Sequence, residues 1–356
     1  MKKILSICLA AAAFVGCTST EVEFDTPQEI GFTAVADNST RAVVDGDVYP
    51  TTLNMYVYAW TAGQTTVDYI NNGLFVHRAD KVGGKDVWGG NTPYYWPNVN
   101  RLHFAGYSAS GNVANATVSY VPATDKLTIA GYTPGTATAA GANDLMYFPS
   151  TAADETTGYL GKDTESVPVV MYHTCSWITF LVKGEGVTTD AAAAYTVTEM
   201  SITAIDDQAT VVCSSCEDTD DVATAVVWGG DSTPKDNENA KTATLDVTLA
   251  TLGSLTTTAI NVETGDEYKV ADGGNLVVIP QIPGSLNLTY TYNSSTGASI
   301  EEKAENISLK LNDGNTQAWE PGKHYIYTIT IKANEILVAP NAAPWVDGPN
   351  SNITVE

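Results

Sequence analysis

Positively charged residues are scarce in this chain. It has 17 Lys and Arg against 41 Asp and Glu, which gives a formal net charge of −24 over 356 residues. Because such a chain repels phosphate backbones and anionic lipid headgroups, its composition argues against nucleic-acid binding and against electrostatic docking to membranes. Charged residues make up only 16% of the chain and hydrophobic residues 44%, which is typical of a folded protein rather than a disordered one.

Long hydrophobic runs are equally scarce, since only the N-terminus carries one. Residues 1–17 begin with a pair of lysines and continue with an apolar run from Ile4 to Val15. This run is too short for a stable membrane-spanning helix and is typical of a secretory signal. The segment Phe14-Val15-Gly16-Cys17 resembles a bacterial lipobox, in which Cys17 becomes the lipidated first residue of the mature chain. We therefore expect a signal peptide at residues 1–16, the alternative being an ordinary signal with an incidental cysteine.

Cysteines are few, and their number excludes a complete disulfide framework. Apart from the two in the signal segment and at the lipid position, three remain: Cys175, Cys213 and Cys216. Three is an odd number, so at least one thiol has no partner within the chain. Cys213 and Cys216 have the spacing of a small local disulfide or, with His173 and Cys175, of a four-ligand metal set. Buried structural thiols are the favoured interpretation, and no metal site is predicted.

Catalytic motifs are missing from the sequence. No nucleophile elbow, P-loop, His-Glu-x-x-His or dinucleotide fingerprint occurs. The acidic cluster at residues 217–221 lacks the Asp-x-Asp-x-Asp-Gly register of a calcium loop, so a solvated loop is preferred to a Ca²⁺ site. The sequence therefore predicts neither an enzyme nor a cofactor. Four scattered histidines, each in or beside a predicted strand, are expected to be structural: His77, His103, His173 and His324.

Helical periodicity is also nearly absent after the signal segment. Short apolar segments bounded by Gly, Pro, Asn and Asp recur instead, as in Leu53 to Trp60, where two faces alternate. Many short strands with polar turns between them favour antiparallel sandwiches over βαβ units. The further predicted strands cover residues 101–108, 127–132, 169–183 with a break near residue 173, 197–204, 245–251, 275–279, 286–292, 307–311 and 324–332.

The length of the chain suggests two domains, at roughly 100–200 residues for each. The polar segment 154–166 contains two glycines and lies between two apolar stretches, which favours it as the linker. We therefore place an N-terminal β-sandwich domain at residues 42–165 and a C-terminal one at residues 166–356.

Four segments in a fixed order carry a resemblance to a known family. Each motif alone is weak, but the four follow a lipobox and together span most of the chain. They resemble the fimbrillin family, the lipoprotein precursors of Bacteroidales-type (type V) pilus subunits. The segments are Trp88 with 94–97 and 102–107, then 169–182, then 276–281 leading into 286–290, and finally 319–327.

The resemblance implies an all-β fold of two transthyretin-like antiparallel β-sandwich domains in tandem, with no enzyme activity and no cofactor. It implies export as an outer-membrane lipoprotein precursor, held by acyl chains such as palmitate on Cys17. It further implies proteolytic removal of an N-terminal segment and polymerisation by strand exchange with other subunits, so that the mature protein lies in cell-surface fimbriae and supports adhesion. The alternative is a monomeric, lipid-anchored surface module that binds a glycan or a protein.

Arg41 is a candidate processing site, because it is the only Lys or Arg in residues 4–77. It follows a polar segment suited to an exposed loop. We predict that an Arg-directed protease cuts between Arg41 and Ala42, which makes residues 17–41 a lipidated propeptide; a plain surface arginine is the alternative. The cut would free the segment 29–35, which has the alternating pattern of a strand.

The C-terminal tail, residues 335–356, follows the closing motif and is surplus to it. Its two apolar pieces are separated by prolines and a glycine, which fits an extended segment. We predict that the tail is the donor strand for the next subunit; the alternative keeps it on its own domain as an edge strand, anchored by Trp345. The donor-strand candidates are Ile336, Val338, Ile353 and Val355.

Overall fold

Strands account for most of the structure, which is a computed structural model. No helix among the residues it describes is long and apolar enough to cross a membrane. The described residues are 27–36, 49–109, 111–134, 144–151, 158–161, 164–184, 195–206, 208–215, 222–229, 243–246, 260–262, 268–269, 276–293, 297–309, 318–332 and 335–344.

Helical structure in these ranges is limited to single turns. Two are 3-10 turns, at Gly111–Asn115 and Pro122–Thr124, and one is α-helical, α1 at Val222–Ala225. The predicted all-β class is confirmed. The strands are β1 Gly31–Ala36, β2 Met55–Thr61, β3 Ile70–Val82, β4 Lys85–Gly90, β5 Leu102–Ser108, β6 Thr117–Val121, β7 Lys126–Tyr132, β8 Met146–Thr151, β9 Val167–His173, β10 Ser176–Gly184, β11 Tyr195–Ile205, β12 Ala209–Cys213, β13 Val226–Trp228, β14 Ala243–Asp246, β15 Ile260–Val262, β16 Tyr268–Lys269, β17 Leu276–Val278, β18 Ser285–Asn293, β19 Ser299–Ser308, β20 Lys323–Lys332 and β21 Glu335–Pro344.

Seven strands of the N-terminal part close into one continuous sheet, in the order β1-β4-β3-β2-β5-β8-β9. Neighbouring strands are antiparallel except at the closure, where β1 runs parallel to β9. Because side chains alternate between the two faces of a strand, every second residue points inward. The interior is a core of buried residues that includes Phe32, Phe75, Phe104 and Phe148.

A second sheet of four strands has the order β13-β12-β7-β6. Its buried residues Ile129 and Val211 belong to a core that also contains Tyr58 and Trp60 of β2 and Trp177 of β10. This core therefore joins strands from both halves of the chain.

The C-terminal part is a sandwich of two sheets. One has the order β16-β10-β20-β21, with β17 also paired to β10, and the other has the order β14-β11-β18-β19, with β15 also paired to β11. All of these pairings are antiparallel except the one between β10 and β20. The core between the sheets includes Phe180, Ile202, Leu288 and Tyr327, and Trp319 is buried in it.

Strand pairing crosses the predicted boundary between residues 165 and 166. The strand β9 lies after that boundary but pairs with β1 and β8, which lie before it. The strands β12 and β13 also lie after it, and β12 pairs with β7. The division into domains stays a prediction, and these hydrogen-bonded sheets draw β9, β12 and β13 into the N-terminal part, whereas β10 and β11 belong to the C-terminal sandwich.

Candidate functional site

The strand β1 fills a groove between β4 and β9. On one side Gly31 and Phe32 pair with β4, and on the other Phe32 to Ala36 pair with residues 167–171 of β9. The pairing extends to the residues before β1, because Trp96 N–H donates to the Gln28 carbonyl at 2.9 Å. Residues 28–32 are thus held by backbone hydrogen bonds along one edge and residues 32–36 along the other.

The inward side chains of this segment are buried in the closed sheet. Ile30, Phe32, Ala34 and Ala36 all belong to the core, and Phe32 is fully buried. The burial of these alternate residues supports the predicted alternation of the segment. Three aromatic rings surround Phe32. The centroid of its ring lies 5.0 Å from that of Phe75, 5.2 Å from that of Phe104 and 6.0 Å from that of Phe148.

Three polar contacts, made by the side chains of Arg78 and Gln28, lie at the entrance of the groove, where β1 begins. The Arg78 guanidinium on β3 lies 3.3 Å from the Glu29 carboxylate and also donates to the Gly90 carbonyl. Gln28 Nε2 donates to the Thr164 carbonyl at 2.8 Å. Arg78 was not predicted from the sequence, because no local pattern around residue 78 indicates a contact with Glu29, which lies 49 residues earlier.

The tail strand β21 lies on its own sheet, where it forms the edge of the described strands. It pairs antiparallel with β20 at all ten positions, so that Ile336 lies opposite Ile331 and Val338 opposite Ile329. This arrangement is the one that the edge-strand alternative expects for residues 335–344. The donor-strand role stays a prediction, and Trp345, Ile353 and Val355 lie outside the described residues.

The predicted processing residues also lie outside the described part of the chain. Cys17, Arg41 and Ala42 all fall in ranges for which no structure is given. The described part begins at residue 27 and resumes at residue 49, so the predicted cut falls between β1 and Tyr49.

The remaining cysteines and the histidines show no reactive arrangement in the described residues. Cys175 and Cys213 are buried free thiols, and burial raises the pKa of both, which keeps them protonated and unreactive. Cys216 lies outside the described residues. No group of three or more His, Cys, Asp or Glu side chains is close enough to hold a metal within the ranges described.

Each of the four histidines has a contact within the fold, in agreement with the structural role expected for them. His173 Nδ1 forms a buried hydrogen bond with the Asp144 carboxylate. His103 stacks on Trp60, and His324 stacks on Trp177 with 3.7 Å between the ring centroids. His77 lies 3.1 Å from Asp86, and its hydrogen bond, with a second from Lys81, lowers the pKa of that carboxyl.

Comparison with known proteins agrees with this fold. Residues 40–345 match the model of a family described as fimbrillin-like, which confirms the resemblance seen in the sequence. No curated protein sequence matches the chain.

Several solved structures share the fold at low sequence identity. A fimbrial protein from Bacteroides vulgatus is 15% identical over 89% of this chain and 99% of its own, with a TM-score of 0.57. A protein from Bacteroides ovatus, provisionally described as a cell adhesion protein, is 12% identical over 91% and 99%, with a TM-score of 0.50. A similarly described protein from Parabacteroides distasonis is 11% identical over 92% and 98%, with a TM-score of 0.50.

Proposed function

The chain belongs to the fimbrillin-like family, and from this premise we propose that it is a structural, non-enzymatic subunit of a cell-surface fimbria that supports adhesion. The family match covers residues 40–345, which is most of the chain. The solved structures with the same fold include a protein described as fimbrial and others provisionally assigned to cell adhesion.

Export and processing make up the first part of this proposal. The signal at residues 1–16 directs the chain out of the cytoplasm, and acyl chains on Cys17 hold the precursor at the outer membrane. Because one acyl chain anchors only marginally, stable retention takes at least two. A protease then cuts between Arg41 and Ala42 and separates the body from its lipid.

The position of β1 is the observation that carries the assembly step. This strand is the last described element before Arg41, and it lies between two strands with its inward side chains buried. Once it is cut and leaves, β4 and β9 have unpaired edges on either side of an apolar slot. Unpaired edges of this kind accept an added strand from another chain.

The occupant that we assign to the slot is the tail of a second subunit, residues 335–356. Its candidate inward residues are Ile336, Val338, Ile353 and Val355. Burying about four apolar side chains contributes roughly 6–12 kcal/mol before the cost of ordering the tail is subtracted. A contribution of that size is enough for a slowly dissociating polymer.

The proposal is tested by blocking the cut. Arg41→Ala should leave an uncut, lipid-held form that gives no high-molecular-weight ladder in undenatured extracts. Thr40→Ala is the matched control, since it changes the neighbouring residue and keeps the arginine. A normal mature species and normal ladders from Arg41→Ala would refute the processing step.

A second function, a monomeric lipid-anchored module that binds a glycan or a protein, draws support from one observation. The strand β21 is paired within its own sheet, as a chain that never exchanges strands requires. Deleting residues 335–356 separates the two functions. The fimbrial subunit loses its ladders on deletion, whereas a monomeric module forms no ladders with or without the tail.

A further inference from the structure

Two segments near opposite ends of the chain share one sequence pattern. Residues 29–36 read EIGFTAVA, and residues 335–342 read EILVAPNA. Both begin with Glu-Ile, and both then place an apolar or small residue at every second position up to a final alanine. In the first segment these alternate positions are the ones buried in the closed sheet.

We propose that residues 335–342 of a second copy of this chain occupy the groove in the register of residues 29–36, and that Arg78 sets this register by binding the Glu335 carboxylate. The inference rests on the proposed function, because β1 must leave before the groove can be refilled. The partner segment is residues 335–342, and Arg78 is the residue that binds its first carboxylate.

Arg78 is positioned to bind a carboxylate at the entrance of the groove. Its guanidinium is held by the Gly90 carbonyl while it contacts Glu29 at 3.3 Å. Gly89 leaves the room for this, since a Cβ atom at residue 89 would lie 2.6 Å from Arg78 Nε. When the segment 29–36 leaves, this cation loses its carboxylate partner in a strongly acidic protein.

The charge and the alternation together select one register. A shift by one residue in either direction turns Asn341 inward, and one of the two shifts also buries Glu335. The cost of burying these polar groups argues against both shifts. A shift by two residues keeps the pattern but moves Glu335 about 7 Å along the strand, which separates it from Arg78. The other apolar piece of the tail is preceded by Asn352, which has no charge for Arg78 to bind.

Residues 335–342 would fill the groove less completely than residues 29–36 do. Val338 would take the place of Phe32 and would leave part of the aromatic pocket unfilled. Leu337 would take the place of Gly31, where a Cβ atom lies 3.2 Å from Val87 Cγ1, so Val87 has to move. The chain's own segment is therefore the better occupant, and exchange proceeds only after a cut allows that segment to dissociate.

Disulfide trapping tests the register directly. Val35 and Val170 are partners across β1 and β9, and both are exposed. In the proposed register Asn341 takes the place of Val35, so Asn341→Cys with Val170→Cys should link neighbouring subunits into a ladder under mild oxidation. Ala339→Cys with Val170→Cys is the matched control, two residues out of register on the same face.

A charge exchange tests the role of Arg78. Arg78→Glu with Glu29→Arg keeps an ion pair within the uncut chain but presents a carboxylate to the incoming Glu335. Ladder yield should fall by about 2- to 5-fold, the effect of a partly exposed ion pair. Adding Glu335→Arg should restore the yield, which a merely structural role of Arg78 would not produce.

The outcomes separate this inference from the function on which it rests. Val35→Cys with Val170→Cys should form a link within one uncut chain, and this link checks the position of β1. Ladders that link at residue 339 rather than 341, or that ignore the charge exchange, overturn the register and leave polymerisation intact. Absence of ladders in every chain, the wild type included, overturns both proposals.

Discussion

The strands β1 and β21 carry similar patterns and are held very differently. The first pairs with a strand on each side and places three inward side chains in a closed core. The second pairs with β20 alone and forms the edge of its sheet among the described strands. The comparison teaches that neighbouring strands, rather than the pattern of a segment, determine how firmly it is held. In the exchange that we propose, the tail held on one side is the strand that is released, and the strand held on both sides leaves only after a cut.

The largest expected effect is a cavity at the centre of the groove. Phe32→Ala should lower the free energy of unfolding of the uncut protein by about 3–5 kcal/mol, because its buried ring contacts three other phenylalanine rings. Val35→Ala, in the same strand but facing outward, is the control and should change it by less than about 0.5 kcal/mol. Urea denaturation measures both, and equal effects would show that β1 does not hold the core.

Alkaline pH should weaken the sheet that carries β21. Burial raises the pKa of Tyr327 on β20 from 10.0 to about 12. The unfolded chain ionises first, so the stabilising contribution is fully present below pH 10 and is lost as pH rises through about 12. Its size is about 2–3 kcal/mol.

The measurement is the urea midpoint of the protein between pH 9 and pH 12, followed at constant ionic strength. Tyr327→Phe should reduce that dependence, while other buried tyrosines whose pKa is raised, such as Tyr58, retain the rest of it. Tyr95→Phe is the matched control, because it removes the hydroxyl of a tyrosine whose side chain is 47% exposed rather than buried. An unaltered pH dependence in Tyr327→Phe would contradict the assignment.

Hydrogen exchange should distinguish the two strands directly. Amides of residues 335–344 should exchange about tenfold or more faster than those of residues 31–36, since an edge strand opens without the whole sheet. Mass spectrometry of peptides from the uncut protein measures the two rates. Equal protection of both segments would remove the physical basis for drawing the donor from β21.

The smallest effect is expected at the entrance of the groove. Arg78→Ala should change the stability of the uncut protein by only about 0.2–1 kcal/mol, because Arg78 and Glu29 are each about 40% exposed. Lys85→Ala, at the exposed turn between β3 and β4, is a control for removing one cation. A loss of several kcal/mol would show that Arg78 supports the fold rather than the register.

Some local signals were strong enough to predict their elements. The alternating residues 53–60 overlap the observed strand β2. The closing motif at residues 319–327 leads into the observed strand β20. The hairpin of β3 and β4 was missed although its signal is local. Gly83 and Gly84 join the two strands, and both have positive φ angles, the geometry of a two-residue turn that favours glycine.

Other features had no local signal to find. The pairing of β12 with β7 joins residues about 80 positions apart. The ion pair of Arg78 with Glu29 joins β3 to the residues just before β1, which is not its neighbour in the chain. The pattern of residues 335–342 predicts a strand with one apolar face but contains nothing that selects β20 over a groove on another chain.

The sequence by itself determined the all-β class, the alternation of the first strand and the family of the chain, and it predicts export, because each of these is written in short-range patterns or in composition. The tertiary structure alone decided that β1 closes a seven-stranded sheet beside β9, that β21 lies on β20, and that Gly89 clears a path for Arg78. The physical reason is that a strand's backbone hydrogen bonds are satisfied by whichever edge the whole chain brings to it, and that choice is made by long-range packing.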